Sequence, residues 1–513
     1  MDFYTFIHFF LSCSLSFSLF YLLLSSLITR LTSLVAPTRQ CECQICQDFL
    51  SRNWTKKFHN ISDWYSDLLQ KSPTGTIHIH VANNIITANP ENVEHMLKTR
   101  FHNYPKGKQF SAILGDLLGQ GIFNVDGHSW KFQRKLASLE LGSVSVRSYA
   151  FRVISSEIQT RFIPLIESFS DHERVVDLQD VFRRFAFDTI CRFSFGLDPG
   201  CLRSSLPESE FASAFDKASR LSAERAMTAS PLVWKMKRFF NLGSEKELRS
   251  AIRSIDVLAG EVIKQKKEMG TGQIQNDLLS RFMSTISDDD YLRDIVVSFL
   301  LAGRDTIASG LTSLFWLLAQ NREIVSMIRE EAERVMGQSD TGLPTFEQLQ
   351  KMNYLQAAVY ESLRIFPPVQ FDSKFASQPD VLPDGSFVKS GTRVTYHPYA
   401  MGRMEKIWGS DCLEFKPERW LSDGIFTPVN PFKFSVFQAG NRVCLGKEMA
   451  VVEMKLVAVS FIRRFDIELA APSDQSMLRF SPGLTATVSG GLPVVIQRRR
   501  DSEIIENAFV LRK

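Results

Sequence analysis

The chain has few cysteines for its 513 residues and little net charge. Its eight cysteines are irregularly spaced, which excludes a disulfide-rich secreted framework and favours a reducing compartment. A formal net charge of +4 is too small to indicate a nucleic-acid partner. There is no internal repeat, and 41 phenylalanines against ten tyrosines predict a large, dry interior.

The N-terminal segment lacks charge altogether. Residues Phe3 to Thr29 contain no Asp, Glu, Lys or Arg, and as a helix they would reach roughly 40 Å, beyond the ~30 Å hydrocarbon core of a bilayer. A cleaved signal peptide is the alternative, but it normally has a basic start and a shorter apolar core. Since Asp2 precedes the segment and Arg30 follows it, we predict an uncleaved anchor at 3–29 with the rest of the chain cytosolic.

Residues 30–73 read as a polar juxtamembrane connector that contains Cys41, Cys43 and Cys46. The three thiols could form half of a zinc site, but the sequence has no second cluster of Cys or His at metal spacing. Reduced thiols are the favoured interpretation. Palmitoylation beside the membrane is a third possibility.

Periodicity predicts a mainly α fold with a small β portion. Residues 74–81 alternate as a strand with a hairpin partner, Pro90 opens a helix, and the pattern then stays mostly helical to about residue 337. Strand signals return at 387–396 and at 484–497, where Gly490 and Gly491 suggest a hairpin turn. No linker in residues 74–500 resembles a domain boundary, so we predict one large domain there, followed by a tail at 501–513. A domain this large normally exceeds one core, which a buried cofactor would help to explain.

One thiol stands apart from the others, in the segment Phe437-Gln-Ala-Gly440-Asn-Arg442-Val-Cys444-Leu-Gly446. An isolated buried cysteine is usually inert. Here two glycines permit a tight turn, Arg442 can pair with a carboxylate as a fork, and the helical pattern from Leu445 would stabilise a thiolate. The segment predicts a thiolate presented beneath a flat metal cofactor.

A long helical stretch from about Asp290 to Gln320 contains Ala302-Gly303-Arg304-Asp305-Thr306. A glycine inside a helix costs about 1 kcal/mol relative to alanine, so we expect Gly303 to make room for a ligand. An acid beside a hydroxyl is a plausible proton route. A second membrane span is the alternative, but Arg304 and Asp305 near its centre would be costly.

Two weaker patterns add charge networks. Glu361 and Arg364 share a helix face, and Arg419 in Pro417-Glu-Arg419-Trp420 could join them. Trp130 and Arg134 also share a helix face and could both reach a carboxylate.

The order and spacing of these patterns resemble a microsomal cytochrome P450, a haem-thiolate monooxygenase, from the anchor to about residue 500. The resemblance implies haem b with Cys444 as the axial iron ligand, in a loop that includes Phe437 and Gly440. It implies Asp305 and Thr306 for dioxygen activation, and Glu361, Arg364 and Arg419 as a structural triad. The haem propionates would be held by Trp130, Arg134, Arg442 and, at the offset after Phe366-Pro-Pro368, Lys374.

A narrower resemblance is to plant fatty-acid ω-hydroxylases. It is carried by Gly121-Ile-Phe-Asn-Val-Asp-Gly127, Leu178-Gln-Asp-Val-Phe-Arg-Arg-Phe-Ala-Phe-Asp188 and Tyr399-Ala-Met-Gly-Arg403. Within that branch, Leu139-Glu-Leu-Gly-Ser143 and Pro368-Val-Gln-Phe-Asp-Ser-Lys374 resemble oxidases of jasmonoyl-isoleucine, which convert its terminal carbon to the 12-hydroxy and 12-carboxy forms. General fatty-acid ω-hydroxylation is the alternative. Arg304 departs from the usual pattern at a slot that tolerates variation.

The resemblance places the pocket walls in residues 104–123, 301–306, 369–371 and 483–488, with Phe123, Ala302, Val369, Phe371 and Leu484 as lining residues. The sequence does not identify the residue that would anchor a substrate carboxylate. A haem-thiolate hydroperoxide isomerase or dehydratase needs no proton relay to dioxygen, which the Asp305–Thr306 pair argues against. A non-enzymatic membrane protein with a structural cysteine loop is the third hypothesis.

Electrons must come from outside, because the chain has no G-x-G-x-x-G fingerprint. The resemblance implies an NADPH–cytochrome P450 reductase in the endoplasmic reticulum membrane, together with O2. Four cations near Cys444 could form its docking patch. They are Lys131, Arg134, Lys135 and Lys447.

Overall fold

The computed structural model describes residues 41–172, 174–207, 209–228, 231–269, 277–337, 342–470 and 478–499. The predicted anchor at 3–29 and the tail at 501–513 lie outside the described residues. The predicted fold class, mainly α with a small β portion, is confirmed.

Helices carry most of the described chain. They are α1 Gln44–Ser51, α2 Ile61–Lys71, α3 Pro90–Glu94, α4 Gly107–Leu118, α5 Gly127–Gly142, α6 Val144–Glu157, α7 Ile163–Asp171, α8 Leu178–Phe195, α9 Glu210–Met227, α10 Pro231–Phe239, α11 Gly243–Met269, α12 Leu278–Met283, α13 Asp289–Leu300, α14 Thr306–Gln320, α15 Arg322–Met336, α16 Phe346–Lys351, α17 Asn353–Ile365, α18 Pro398–Met401, α19 Glu405–Trp408 and α20 Lys447–Ile462. Wider π-helical turns occur at His95–Thr99, Ile158–Phe162 and Leu301–Asp305.

The strands are short and belong to small sheets. They are β1 Thr76–Ile79, β2 Asn84–Thr87, β3 Val176–Asp177, β4 Asp372–Phe375, β5 Asp380–Val381, β6 Phe387–Val388, β7 Arg393–Tyr396, β8 Leu421–Ser422, β9 Ile425–Phe426, β10 Phe465–Leu469, β11 Phe480–Ser481, β12 Thr487–Val488 and β13 Pro493–Arg498. The largest sheet has the order β1-β2-β7-β4, in which only the β2–β7 pair is parallel. A second sheet has the order β10-β13-β3.

The β1–β2 hairpin and the helix opened by Pro90 are confirmed, with Ile77 facing Ile86 across the ladder. The hairpin predicted at Gly490 and Gly491 is wrong. Both glycines have positive φ (87° and 76°), but they connect β12, which pairs with β11, to β13, which pairs with β10. The sequence shows a turn there, whereas only strand pairing decides which sheets it joins.

The long apolar helix lies at the centre of the protein. Asp288 starts α13 by accepting hydrogen bonds from the N–H groups of Asp290 and Tyr291, and the helical path continues through Leu301–Asp305 into α14. Among the described residues it is the one helix long and apolar enough to cross a membrane, yet most of it is buried in the protein. It is therefore a core helix, and the alternative of a second span is not supported.

The stretch predicted as a polar connector contains packed structure. Trp64, Tyr65 and Leu69 of α2 are buried against the β1-β2-β7-β4 sheet, and Cys46 of α1 is fully buried in the same apolar cluster. Two further clusters surround α14, α17 and α20 on one side, and α8, α9 and α13 on the other. The domain boundaries themselves stay predictions.

A buried charge network connects α17 to the turn at 417–420. It brings together Glu361, Arg364 and Arg419, the three residues of the predicted structural triad. Arg364 Nε and Nη2 donate to Glu361 at 2.7 Å each, and Arg419 Nε donates to it at 3.3 Å. Trp420 Nε1 donates at 2.8 Å, and both Glu361 and Arg364 are 0% exposed. Arg364 also reaches the carbonyl of Cys412 at 2.6 Å. All these donors converge on one carboxylate that is removed from water.

Glu361→Gln should destabilise the protein by about 3–5 kcal/mol, because it leaves a buried arginine without its counter-charge. We expect a lower thermal midpoint and little haem-loaded protein. The matched control is Glu468→Gln, which breaks the exposed Arg322–Glu468 pair (3.0 Å) and should change little. Equal midpoints for the two variants would contradict a structural role for the network.

Candidate active site

The Cys444 loop is held in place by short backbone contacts. The Cys444 N–H donates to the Phe437 carbonyl at 2.7 Å, which closes the loop. Gly440 has φ +59°, and a Cβ there would lie 2.2 Å from the Leu97 carbonyl oxygen, so only glycine fits. Phe437 packs against Tyr360 with ring centroids 6.2 Å apart. The loop therefore presents its thiol at a fixed position just before α20.

The Cys444 side chain is exposed, yet it lies deep in the fold. Burial raises the pKa of its thiol, whereas the backbone N–H groups of Gly446 and Lys447 and the charges of Arg134 and Lys447 favour the thiolate. The Cys444 side chain is thus accessible although protein atoms surround it, so we infer that it faces an internal space. The start of α20 supplies the N–H donors, as the sequence predicted.

Arg442, Trp130 and Arg134 come together beside the loop. The Arg442 guanidinium lies 4.6 Å from the Trp130 ring centroid and donates to Asp126 at 2.6 Å. Arg134 is close enough to Cys444 and Arg442 for their charges to influence its pKa, which burial lowers. Arg442 Nε is buried and, among the described residues, has no hydrogen-bond partner. The cluster thus keeps a buried donor available for an additional acceptor.

Lys374 lies in an adjoining charge cluster. Lys374 Nζ and Lys106 Nζ each contact Asp372 at 2.6 Å, and the Tyr396 hydroxyl donates to it at 3.1 Å. Burial opposes ionisation of Asp372, but the two lysines outweigh it and hold its pKa well below its usual range. Burial lowers the pKa of Lys374, with Asp372 opposing. Two cations share one carboxylate here, so contact of Lys374 with a propionate stays a prediction.

The central helix widens where it meets the internal space. The turn Leu301–Asp305 is π-helical, a local form often found at functional sites, and Ala302 is exposed in the middle of a helix that is mostly buried. Thr306 Oγ1 donates to the Ala302 carbonyl at 2.5 Å. Gly303 does not make room for a ligand as predicted, because a Cβ there would lie 2.4 Å from Ile190 Cδ1. Its role is the close packing of this helix on α8.

The Arg304 side chain is directed toward α9, and the Asp305 carboxylate lies beside it. Arg304 is 3% exposed and donates to Asp216 of α9 at 2.6 Å. Its side chain therefore does not line the internal cavity, although an arginine at this position departs from the usual motif. Burial raises the pKa of Asp305, and the charge of Arg304 opposes it. Asp305 Oδ1 lies 3.4 Å from Arg304 Nη1 and has no hydrogen-bond partner among the described residues. Asp305 is thus a buried acid one residue from the Thr306 hydroxyl.

A cavity of about 490 Å³ lies against the 301–306 part of the central helix and against Lys106 and Asp372. Its lining includes all five predicted pocket residues: Phe123, Ala302, Val369, Phe371 and Leu484. All four predicted wall segments contribute, and Thr306 also lines it.

Sequence reasoning missed part of this lining. Arg393 of β7, Gln438 and the segment around His59–Ser62 face the cavity outside the predicted walls, whereas Lys106 belongs to the predicted wall 104–123. Gln438 carries a signal in its backbone, with φ +60° for a non-glycine residue, but that angle cannot be read from a sequence. Arg393 lies in a predicted strand and belongs to no motif, so nothing in the sequence indicated a place at the cavity for it.

The residues fit a haem between the loop and the central helix. An accessible thiol deep in the fold, an unpartnered Arg442 Nε, and Ala302 exposed on a buried helix are features that a flat anionic cofactor with one axial ligand would use. Bound there through Cys444, haem would supply dioxygen reduction and oxygen insertion. Arg442, Trp130 and Arg134 are placed to hold its carboxylates.

Comparison with known proteins agrees with this geometry. The family profile "Cytochrome P450" matches residues 49–490. The chain is 60% identical to cytochrome P450 94C1 of Arabidopsis thaliana, over 94% of this chain and 98% of that protein. It is 46% identical to cytochrome P450 94B1 of Arabidopsis thaliana (91% and 93% covered) and 41% identical to cytochrome P450 94A1 of Vicia sativa (87% and 88% covered).

A match over most of the chain and relatives this similar establish the family and confirm the narrower plant resemblance. Family membership implies a cysteine-ligated haem, O2 as co-substrate and electrons from a reductase. The chain therefore belongs to the cytochrome P450 family, as a monooxygenase of the plant branch that acts on fatty-acid-like substrates.

Proposed function

We propose that this monooxygenase hydroxylates the terminal carbon of jasmonoyl-isoleucine and oxidises the 12-hydroxy form further to the carboxylate. The observation that carries the proposal is the polarity of the cavity. Its lining is mostly apolar, but Arg393 and Lys106 lie on the sheet side and Thr306 lies on the helix side. An oxylipin amide has the same arrangement, with a carboxylate at one end and an unactivated terminal carbon at the other.

Arg393 is the residue we propose as the carboxylate anchor. It lies on β7 at the cavity wall, where its Nε donates to Ser373 Oγ at 2.9 Å. No other side-chain hydrogen bond of its guanidinium is found within the described ranges, whereas Lys106 is already paired with Asp372 at 2.6 Å. An arginine with free donors binds a carboxylate as a fork, and arginine stays charged even when buried.

The apolar walls support attack at the chain end. Terminal C–H bonds are stronger than internal ones, so selectivity has to come from steric restriction near the reacting centre. Val369 and Phe371 line the same cavity as Ala302 and Thr306 and are the residues we propose for this restriction. A general fatty-acid ω-hydroxylase is the second candidate, because the same apolar lining suits any long acyl chain.

Proton delivery is assigned to Thr306 and Asp305. The Thr306 hydroxyl lines the cavity and is oriented by its bond to the Ala302 carbonyl. Asp305 has a raised pKa because it is buried, so it can hold and release a proton nearer neutral pH than an exposed aspartate. A hydroperoxide isomerase would have no use for this pair.

Electron supply and location complete the proposal. Lys131 and Lys135 are exposed on α5, close in sequence to Arg134. Burial lowers the pKa of Arg134, and Cys444 lies near enough for the thiolate charge to oppose that effect. A basic surface there suits an acidic reductase. The uncharged segment Phe3–Thr29 supports anchoring in the endoplasmic reticulum membrane with this surface in the cytosol.

Product analysis in reductase-supplemented microsomes tests the substrate. Jasmonoyl-isoleucine, its 12-hydroxy form and lauric acid are offered in competition, and we expect NADPH-dependent turnover of the first two in preference to lauric acid. Microsomes without NADPH are the control. Turnover of lauric acid alone would favour the general ω-hydroxylase and reject the proposal.

Cys444→Ala should abolish the reduced, CO-bound absorbance band of thiolate-ligated haem and all turnover, because the axial ligand is lost. Cys412→Ser is the matched control. Its thiol donates to the Arg403 carbonyl at 3.2 Å, a contact that a hydroxyl can keep, so the band should remain. Retention of the band in Cys444→Ala would show that another residue ligates the iron.

Arg393→Gln should raise KM for jasmonoyl-isoleucine roughly 10- to 100-fold, the effect of losing a charge-assisted hydrogen bond of about 1.5–3 kcal/mol. Arg393→Lys keeps the charge and should lose less. The methyl ester of the substrate is the ligand control, since it should not distinguish the variants. Equal KM values for acid and ester in the parent protein would show that no cation anchors the carboxylate, and an unchanged KM in Arg393→Gln would place the anchor elsewhere. Haem content checks that each variant is folded.

A further inference from the structure

Four side chains of the types that bind metals lie close together in the N-terminal part of the described chain, far in sequence from Cys444. Cys41, Cys43 and Cys46 precede or begin α1, and His80 follows β1. Their Sγ atoms and one imidazole nitrogen all lie within 4.8 Å of one another. The sequence shows three of these residues as a C-x-C-x₂-C cluster but gives no reason to join them to a single histidine more than thirty positions later. The interpretation of simple reduced thiols overlooked this fourth member.

The separations match the edges of a metal tetrahedron. Cys41 Sγ lies 3.3 Å from Cys43 Sγ and 3.4 Å from His80 Nδ1. The Sγ atoms of Cys43 and Cys46 each lie 3.9 Å from the same nitrogen. With Zn–S of about 2.3 Å and Zn–N of about 2.0 Å, a tetrahedral site has S···S edges of about 3.8 Å and S···N edges of about 3.5 Å, so these four separations lie within about 0.5 Å of the ideal values.

The surroundings supply the donors that stabilise thiolates. The backbone N–H groups of Cys46 and Val81 lie near the sulfur atoms of Cys43 and Cys46, respectively. Donors of this kind offset the negative charge of metal-bound sulfur. The His80 ring packs against the His78 ring, with 4.0 Å between centroids and 40° between the ring planes, and its Nδ1 lies 3.4 Å from Cys41 Sγ.

The burial of the cluster argues against an acylation site. Cys46 is fully buried and packs in the same apolar cluster as Ile77 and Ile79. Cys41 and Cys43 are half-buried and turn their sulfur atoms to His80. Thiols in this arrangement are not presented for attachment of an acyl chain.

We propose that Cys41, Cys43, Cys46 and His80 form a structural zinc site. Three thiolates and one imidazole in tetrahedral array are a donor set for Zn²⁺, and with all four positions filled by protein the site is closed to catalysis. The metal would fasten α1 to the end of the first hairpin. It would thereby fix the path of the chain between the predicted anchor and the sheet that carries Arg393.

Metal analysis of the full-length protein in detergent tests the site. After removal of loosely bound metal, zinc is measured by inductively coupled plasma mass spectrometry, with haem iron as the internal standard. We expect about one zinc for each haem. Zinc-edge X-ray absorption should give about three Zn–S contacts near 2.3 Å and one Zn–N contact near 2.0 Å.

Variants separate zinc binding from folding. Cys43→Ser and His80→Ala should lower retained zinc at least tenfold, whereas His80→Cys, which keeps four ligands, should retain it. Cys191→Ala is the control, since that buried cysteine lies outside the cluster. The CO-bound haem band, measured in each variant, reports whether the catalytic domain is folded whether or not zinc is bound.

Three results would overturn the proposal. They are zinc content unchanged by Cys43→Ser, an intact mass two hydrogens lower than that of the reduced chain, which means a disulfide, and hydroxylamine-sensitive acylation of these cysteines. None of them bears on the oxidation chemistry, so failure here is distinguishable from failure of the proposed monooxygenase function.

Discussion

A single anionic sulfur has to be held away from bulk water, and much of the fold serves that requirement. Burial alone would keep the Cys444 thiol protonated. The N–H groups at the start of α20 and the nearby cations Arg134 and Lys447 work in the opposite direction. The loop that carries the thiol is fixed by the Cys444–Phe437 backbone bond and by the approach of Gly440 to Leu97. The metal of a bound haem would supply the remaining positive charge.

The same balance of burial and pairing recurs at two other buried carboxylates. Asp372 is shared by Lys106 and Lys374, and Glu361 is shared by Arg364, Arg419 and Trp420. These groups are removed from water only because each carboxylate has more than one donor. Asp305 is the exception, with a longer contact to Arg304 and an unpartnered oxygen. An incompletely paired acid is suited to exchange a proton, whereas the fully paired ones are suited to hold structure.

Much of the site could be predicted because its parts are local. The Cys444 loop, the Ala302–Thr306 turn and the Glu361–Arg364 pair are each contained in a few consecutive residues, where spacing fixes the geometry. The fold class followed in the same way from helical and alternating periodicity. Gly303 shows the limit of that reasoning. Its place in the motif was evident, but its neighbour Ile190 belongs to another helix, so the reason for the glycine was not.

The sequence by itself determined which side chains could bind a cofactor or transfer a proton. They are one thiol in a loop between two glycines, an acid–alcohol pair in an apolar helix, and arginines at spacings that suit carboxylate binding. Only the tertiary structure decided which distant groups share a site. It brought Arg393 on β7 into the same cavity lining as Thr306 and His80 to the cysteines at positions 41, 43 and 46. Spacing along a chain constrains contacts within one helix or strand, whereas contacts between elements depend on how the strands pair and the helices pack, which no local pattern encodes.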